Sequence, residues 1–398
     1  MASASGLGLS SLGIWGEIAR VGLWPGVVTC PEAAVVDHCP LAHFSTSMVI
    51  SSNPPVQTPT PGSYALVVGN GRSGTNWLLS MLAASPQTHC RNEPHDIASS
   101  PFHRLPSASE IRQDPDLMAD RWRQFVLWTT THMGERDHRI TAPKTYVHPL
   151  SQKLGVAYFP VRPKIRRALM LVLPALRQAE WLMPWWIGSQ SRLGQATGVL
   201  KINDLRAWIV RWVLETQPQV PVLHIVRHPG GQLQSGMSRF FSGLTAAQRE
   251  SETQLYRGIL KTAIQVDPHW REVLGDESHL DRLDLMEAVA WFWRYNNEEI
   301  YTLGQQYPNY HLVVYEQLAL APLDYARQVY DACGLAYTPA VEAHINAGTR
   351  QSVWGKLSQS SAEVAQSWKK KLSLEYQALA QQVLEGSVMA PWWSDGPG

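Results

Sequence analysis

The sequence is short of unbalanced charge: 34 lysines and arginines stand against 33 aspartates and glutamates in 398 residues, a net of +1. A chain this close to neutral has no general attraction for nucleic acid or an anionic membrane, so no nucleic-acid partner is expected and any recognition of an anion must be local. Cysteine is scarce too. Cys30, Cys39, Cys90 and Cys333 show no CxxC spacing, which argues against a zinc site and a disulfide-built secreted scaffold and leaves a reducing, cytoplasmic compartment as the simplest expectation. The first residues lack a basic start and a long apolar core, so a secretory leader is not expected. The longest apolar run, Ala168 to Leu176, is too short to span a bilayer.

What is abundant is apolar surface. Hydrophobic residues make up 44% of the chain, with 17 tryptophans, enough for a large core and for grooves, although aromatic content alone is more often core than binding site. Residues 1 to about 62 are rich in Ser, Gly and Pro without a sustained period and read as a weakly ordered extension before a domain over 63–398.

That domain opens on Tyr64-Ala65-Leu66-Val67-Val68, a β-branched apolar run that predicts a buried strand. Gly69, Gly71 and Gly74 then make a tight loop, and Thr75 onward has helical spacing. Strand, glycine loop and helix form a phosphate cradle, in which backbone N–H groups and the positive end of a helix converge on an anion. The glycine spacing is that of a nucleotide P-loop, but Thr75 and Asn76 follow Gly74 where lysine is wanted. Inside the loop stands Arg72, a permanent cation whose planar fork suits sulfate or phosphate oxygens.

Further on, Cys90-Arg91-Asn92-Glu93-Pro94-His95 reads as a polar segment near the carboxyl ends of the strands, and a helical region is expected from about Ser107 to Met133. The segment from Val156 to Gly188, basic and then apolar, is either a pair of core helices or a lid or membrane-surface helix; peripheral membrane contact is placed at 166–186. Gly198 to Ile202 predicts a strand, with Asp204 as N-cap of the next helix. Pro221 to Val226 predicts another, running into Arg227 and a helix that carries Ser235 and Arg239 on one face. Helices over Ala246 to Val266, Leu285 to Leu303, Pro322 to Cys333 and Ser361 to Leu384, with a strand at His311 to Tyr315, complete the pattern. Strands alternating with helices predict an α/β fold with a mostly parallel central sheet flanked by helices.

The two anion signals together resemble the cofactor motifs of sulfotransferases that use 3′-phosphoadenosine 5′-phosphosulfate. In that family a loop like Gly71-Arg72-Ser73-Gly74-Thr75-Asn76 grips the 5′-phosphosulfate, and an arginine followed eight residues later by serine, here Arg227 and Ser235, grips the 3′-phosphate. Leu200-Lys201, Tyr315-Glu316 with Leu318 and Pro322, and Trp368 with Leu372-Ser373 agree, and resemble bacterial and Golgi-type members. The resemblance implies a P-loop-like sulfotransferase fold, 3′-phosphoadenosine 5′-phosphosulfate as co-substrate, no metal, and an unmatched helical insertion over about 96–198.

It also implies roles. Glu93 lies 21 residues after Arg72, the position of the catalytic glutamate in tyrosylprotein-type members; cytosolic members use a histidine where this chain has Asn203, which takes no proton. Glu93 is therefore the expected base, ahead of His95 and of Asp204, whose carboxylate capping already explains. Arg72 and Lys201 are expected to neutralise charge on the sulfuryl and leaving-group oxygens. Arg227, Ser235 and Arg239 are the expected 3′-phosphate ligands, with Arg350 and Lys356 as weaker candidates for a capping loop and Lys369-Lys370-Lys371 as a solvated face. Two other readings compete: a P-loop kinase or NTPase, disfavoured because Arg227 stands where a magnesium-binding aspartate is wanted, and a non-catalytic nucleotide-binding or membrane-surface protein. The acceptor's class and the oligomeric state are open.

Overall fold

The computed structural model describes residues 63–131 apart from Ala98, Ser107 and Pro115, then 144–147, 193–349, 351–352, 355–356 and 360–394. The extension over 1–62, the segment 156–188 with its membrane-contact stretch, and Arg350 lie outside the described residues. Five strands form one sheet: β1 (Tyr64–Gly69), β2 (Thr88–Asn92), β3 (Thr197–Asn203), β4 (Val222–Val226) and β5 (Tyr310–Val314), in the order β2-β3-β1-β4-β5, with every pair parallel. Around it, in chain order, lie α1 (Thr75–Leu82), α2 (Asp116–Thr131), α3 (Ala207–Thr216), α4 (Pro229–Arg239), α5 (Ala246–Val266), α6 (Leu285–Gly304), α7 (Tyr315–Leu320), α8 (Pro322–Ala332), α9 (Pro339–Thr349) and α10 (Leu374–Leu384).

Period-two alternation decides which side chain meets which layer. From β1, Tyr64, Leu66 and Val68 join Leu200 and Ile202 of β3 under α2 and α3, while Val67 joins Val199, Leu223 and Ile225 under α1, α7 and α8. Both faces of the sheet are thus covered, as near-continuous apolar strands require. A third cluster gathers α4, α5, α6 and α10 around Trp270, Phe292 and Trp293.

From β1 the chain crosses to edge strand β2, returns to β3 beside β1, and only then moves to β4 on the other side of β1. The connections leaving β1 and β4 therefore diverge, opening a crevice at the carboxyl ends of these strands, the place where ligands bind in such sheets. The glycine loop leaves β1 there, and Arg227 leaves β4.

Several expectations are corrected. Thr88–Asn92 is a strand, although the sequence reads it as a polar segment. Its polar residues are buried because Lys144 to Val147 and α2 lie over it: Lys144 Nζ donates to the carbonyls of Ala83 and Ser85 at 2.6 Å, the Tyr146 and His89 rings are 5.7 Å apart, and Arg91 lies 5.3 Å from the Trp128 ring. The N-cap of α3 is Arg206, not Asp204. The C-terminal helical stretch is three helices, Ser361–Gln366, Trp368–Lys371 and α10, the last started by the Ser373 side chain, which accepts from the Tyr376 N–H. Lys369 to Lys371 are exposed, as expected of a solvated face.

Candidate active site

The loop between β1 and α1 turns through two left-handed residues, Arg72 at φ 72° and Gly74 at φ 105°. At Gly74 the glycine is obligatory twice over, since a Cβ there would also collide with the Tyr315 ring. Gly74 is the N-cap of α1, whose first turn carries no acidic residue and whose cap makes no side-chain bond, so the positive helix end is left to an outside anion. Ser73 is buried, and its Oγ has no hydrogen-bond partner among the described residues. A buried orphan hydroxyl is costly unless something accepts or donates to it.

The second anion signal adjoins the first. Arg72 Nε donates to Ser235 Oγ of α4 at 3.1 Å, and Arg227 Nη1 donates to the Arg72 carbonyl at 3.4 Å. Arg227 is buried, its guanidinium 4.4 Å from the centre of the Tyr315 ring, its carbonyl accepting from Trp293 Nε1 at 3.0 Å and its Nε without a partner among the described residues. Arg239, exposed at the end of α4, lies close enough to act on Arg72. Burial, then the like charges of Arg239 and Arg227, pull the Arg72 guanidinium below its ordinary value, and Glu93 partly restores it. Three cations held this close, beside a Ser73 hydroxyl and an Arg227 Nε that have no partner among the described residues, form a site that an oligoanion would relieve.

Beside it stands an ion pair. Lys201, fully buried on β3, donates to Glu93 Oε1 at 2.6 Å, to Asn92 Oδ1 at 2.9 Å and to Asn76 Oδ1 at 3.0 Å. Burial lowers the Lys201 ammonium from its ordinary value while Glu93 pushes it back. Glu93 follows β2 directly, at φ 52°, with its N–H donating to the Lys201 carbonyl at 2.9 Å and its carboxylate 22% exposed. The register of β2 on β3, Asn92 opposite Lys201, places the two side chains together.

The residues after β3 reach the glycine loop. Asp204, at φ 53°, accepts from the Gly71 N–H at 3.0 Å, and burial pushes its carboxyl up to about 6. Asn203 accepts from Thr75 Oγ1 at 3.0 Å and donates to Glu93 Oε1 at 2.6 Å. Asn296 of α6 donates to Asn70 Oδ1 at 2.8 Å from the other side.

A family model described as the sulfotransferase family matches residues 65–339. The chain belongs to the sulfotransferase family. Solved structures similar to this sulfotransferase include the sulfotransferase domain from the curacin biosynthetic pathway (14% identity, TM-score 0.36, covering 82% of this chain and 98% of that one). Others are STF9 from Mycobacterium avium (16%, 0.35, 84% and 77%) and mouse SULT7A1 complexed with PAP (9%, 0.35, 83% and 86%). No curated protein matches by sequence.

Of the residues expected in the site of this sulfotransferase, Arg72, Ser73, Gly74, Thr75, Arg227 and Ser235 line one cradle, and Asn76, Lys201 and Glu93 meet at its edge. His95 instead packs on Phe102, with Nε2 3.2 Å from Asp96. Lys356 lies in a two-stranded hairpin with Gln351–Ser352. Sequence reasoning missed Trp293 and Asn296 on α6, and it named Tyr315 and Asn203 without their contacts to Arg227 and to Glu93 and Thr75. The signal for α6 was present, since Arg294, Asn296, Asn297 and Glu298 stand among the apolar residues of its buried side. Among the described residues no group of three His, Cys, Asp or Glu is placed to hold a metal, and no helix is long and apolar enough to cross a membrane.

Proposed function

We propose that this sulfotransferase takes its sulfuryl group from 3′-phosphoadenosine 5′-phosphosulfate and passes it to an acceptor hydroxyl or amine, with Glu93 as base. The observation that carries the reading is the hydrogen-bonded run from Arg227 through Arg72 to Ser235, which makes one continuous cradle of the two anion signals. The orphan Ser73 Oγ and Arg227 Nε fit a ligand that brings acceptor oxygens to both ends.

In this reading Gly71 to Asn76 hold the 5′ end, and Arg227, Ser235 and Arg239 hold the 3′-phosphate. Arg72 and Lys201 stabilise the charge that grows as the bond from sulfur to the bridging oxygen breaks, its electron pair leaving with the 5′-phosphate. Glu93 takes the proton of the acceptor as its oxygen or nitrogen bonds to sulfur. Lys201 spends its three N–H groups on Glu93, Asn92 and Asn76, so it releases one of these acceptors when it turns to the leaving oxygen.

The test is transfer from isotopically labelled donor to a panel of sugars, lipids, tyrosyl peptides and small phenols, comparing the wild type with Glu93→Gln. Expected are retained binding of 3′-phosphoadenosine 5′-phosphate and a fall in kcat of about 10²- to 10⁴-fold, the contribution of a general base. Transfer at the parental rate removes Glu93 from the role, and stabilisation by ATP with magnesium but not by 3′-phosphoadenosine 5′-phosphate removes the donor.

A further inference from the structure

Asn203 stands where it can be read only one way. Its side chain lies 2.6 Å from Glu93 Oε1 and 3.0 Å from Thr75 Oγ1. A carboxylate only accepts, so the atom facing Glu93 is the amide NH2, and the oxygen facing Thr75 then requires the threonine hydroxyl to donate. The polarity of the whole run, Thr75 to Asn203 to Glu93, follows from the carboxylate at its end. Thr75 is buried at the first position of α1, inside the anion cradle, and has one hydroxyl proton to give. In this structure that proton goes to Asn203.

The backbone gives Asn203 no latitude. It is the last residue of β3, opposite Gly69 in the register with β1, and the N–H of Asp204 donates to the Gly69 carbonyl at 3.0 Å. Glu93 sits in a left-handed turn just past the edge strand β2, its N–H donating to the Lys201 carbonyl at 2.9 Å. Its carboxylate receives Lys201 and Asn203 on the same oxygen. Lys201 shares its three N–H groups among Glu93, Asn92 and Asn76 and must release one of them to meet a further acceptor, whereas Asn203 is held by its strand and can keep the carboxylate aimed.

We infer that Asn203 is a positioning residue that aims the Glu93 carboxylate and ties it to the glycine loop through Thr75. The inference rests on Glu93 being the base. A bound anion competes with Asn203 for the single Thr75 proton, so the asparagine serves the acceptor half of the reaction and not the binding of the donor.

The experiment measures transfer, affinity for 3′-phosphoadenosine 5′-phosphate and thermal midpoint in Asn203→Ala, Asn203→Asp, Glu93→Gln and the Glu93→Gln/Asn203→Ala double variant. Asn203→Ala is expected to lower kcat by about 10²-fold, as misplacing a catalytic group does, with nucleotide affinity equal to or tighter than wild type because the Thr75 proton is released. Asn203→Asp keeps the acceptor for Thr75 and nearly the same shape but sets a second carboxylate against Glu93, so it should fold even if the alanine variant does not. Its kcat should fall, and the acid limb of its pH profile should move to higher pH. In the Glu93→Gln background, removing Asn203 should cost nothing further, since its effect passes through the missing base.

Losses that add in the double variant, a nucleotide affinity that falls in step with kcat, or an Asn203→Asp variant with parental rate and pH profile would each overturn the inference. The two readings fail separately. If Glu93→Gln transfers at the parental rate, the base is misassigned; if it is inactive while Asn203→Ala is fully active, the base stands and the positioning role falls.

Discussion

Arg72, Glu93 and Asp204 are the residues other than glycine with positive φ among those described, and each stands just past the carboxyl end of a different strand, β1, β2 or β3. A left-handed conformation costs about 1–2 kcal/mol for a residue with a Cβ, so each turn must be held by bonds elsewhere: Arg72 by Ser235, Glu93 by Lys201, Asp204 by the Gly71 amide. Asp204 is the odd member, a carboxylate in a cradle built for anions. Burial pushes its carboxyl up to about 6, so above that pH its charge opposes a bound nucleotide. We expect Asp204→Asn to bind 3′-phosphoadenosine 5′-phosphate more tightly than the wild type at pH 7.5 and with equal affinity near pH 5. Calorimetric titration of both proteins checks this, because the ratio of affinities cancels the titration of the ligand's own phosphates. A ratio that does not change with pH would leave Asp204 a loop brace alone.

At the scale of elements, legibility depended on whether a segment's neighbours were also readable in its own letters. The strand β1, the glycine loop and β4 with Arg227 declare themselves by apolar runs and punctuation, and the sheet with its helices follows. β2 could not be found that way. Thr88-His89-Cys90-Arg91-Asn92 has no apolar alternation, and it is a strand because β3 pairs with it and a distant segment, Lys144 to Val147, covers its polar side chains. The same limit hid the partnership of Asn203 and Asp204 with the loop, for capping is a local rule and their partners are more than a hundred residues away in sequence. In α4 the opening Pro229-Gly230-Gly231 was legible as a helix start, but not the reason for two glycines. A Cβ on Gly230 would lie 2.6 Å from the Trp368 ring, which stacks on His228 at 4.2 Å, while one on Gly231 would lie 2.7 Å from Arg227 Nε. The ring is buried and cannot yield, whereas the guanidinium ends a flexible side chain. Gly230→Ala should therefore cost about 1–3 kcal/mol of stability, the usual penalty for overpacking, and Gly231→Ala much less. Gly231→Ala should instead weaken nucleotide binding by displacing Arg227. Urea unfolding beside nucleotide titration separates the two, and equal stability losses would contradict the distinction.

For the molecule as a whole, α6 is the link between the site and the rest of the core, and it carries a pH dependence with it. Its Trp293 and Asn296 hold Arg227 and the glycine loop, and its Asn297 Oδ1 accepts from His224 Nε2 at 3.0 Å, while Tyr310 OH donates to Nδ1 at 2.8 Å. His224 is fully buried between β4 and α6, and burial pushes its imidazole down to about 4. Above about 6.5 the ring is neutral folded or unfolded, and its environment contributes its full stability; as pH falls from there toward 4 the unfolded chain takes up a proton that the folded one refuses, and stability is lost. His228, buried against Trp368 and near Lys369 and Arg227, is pushed down to about 3 and acts in the same direction, whereas the raised Asp204 carboxyl gains stability for the fold as pH falls from 6 to its ordinary value. The histidines and the aspartate therefore partly offset one another in the wild type, and a substitution is needed to see either. His224→Gln keeps a neutral group able to bond Tyr310 and Asn297, and removes the titration. Between pH 6.5, where the unfolded imidazole is half protonated, and pH 4.5, the wild type should lose about 2 kcal/mol more than this variant. Parallel urea midpoints for the two proteins across that range would mean that His224 is protonated in the folded chain, and with it that β4 and α6 part more readily in acid than their packing implies.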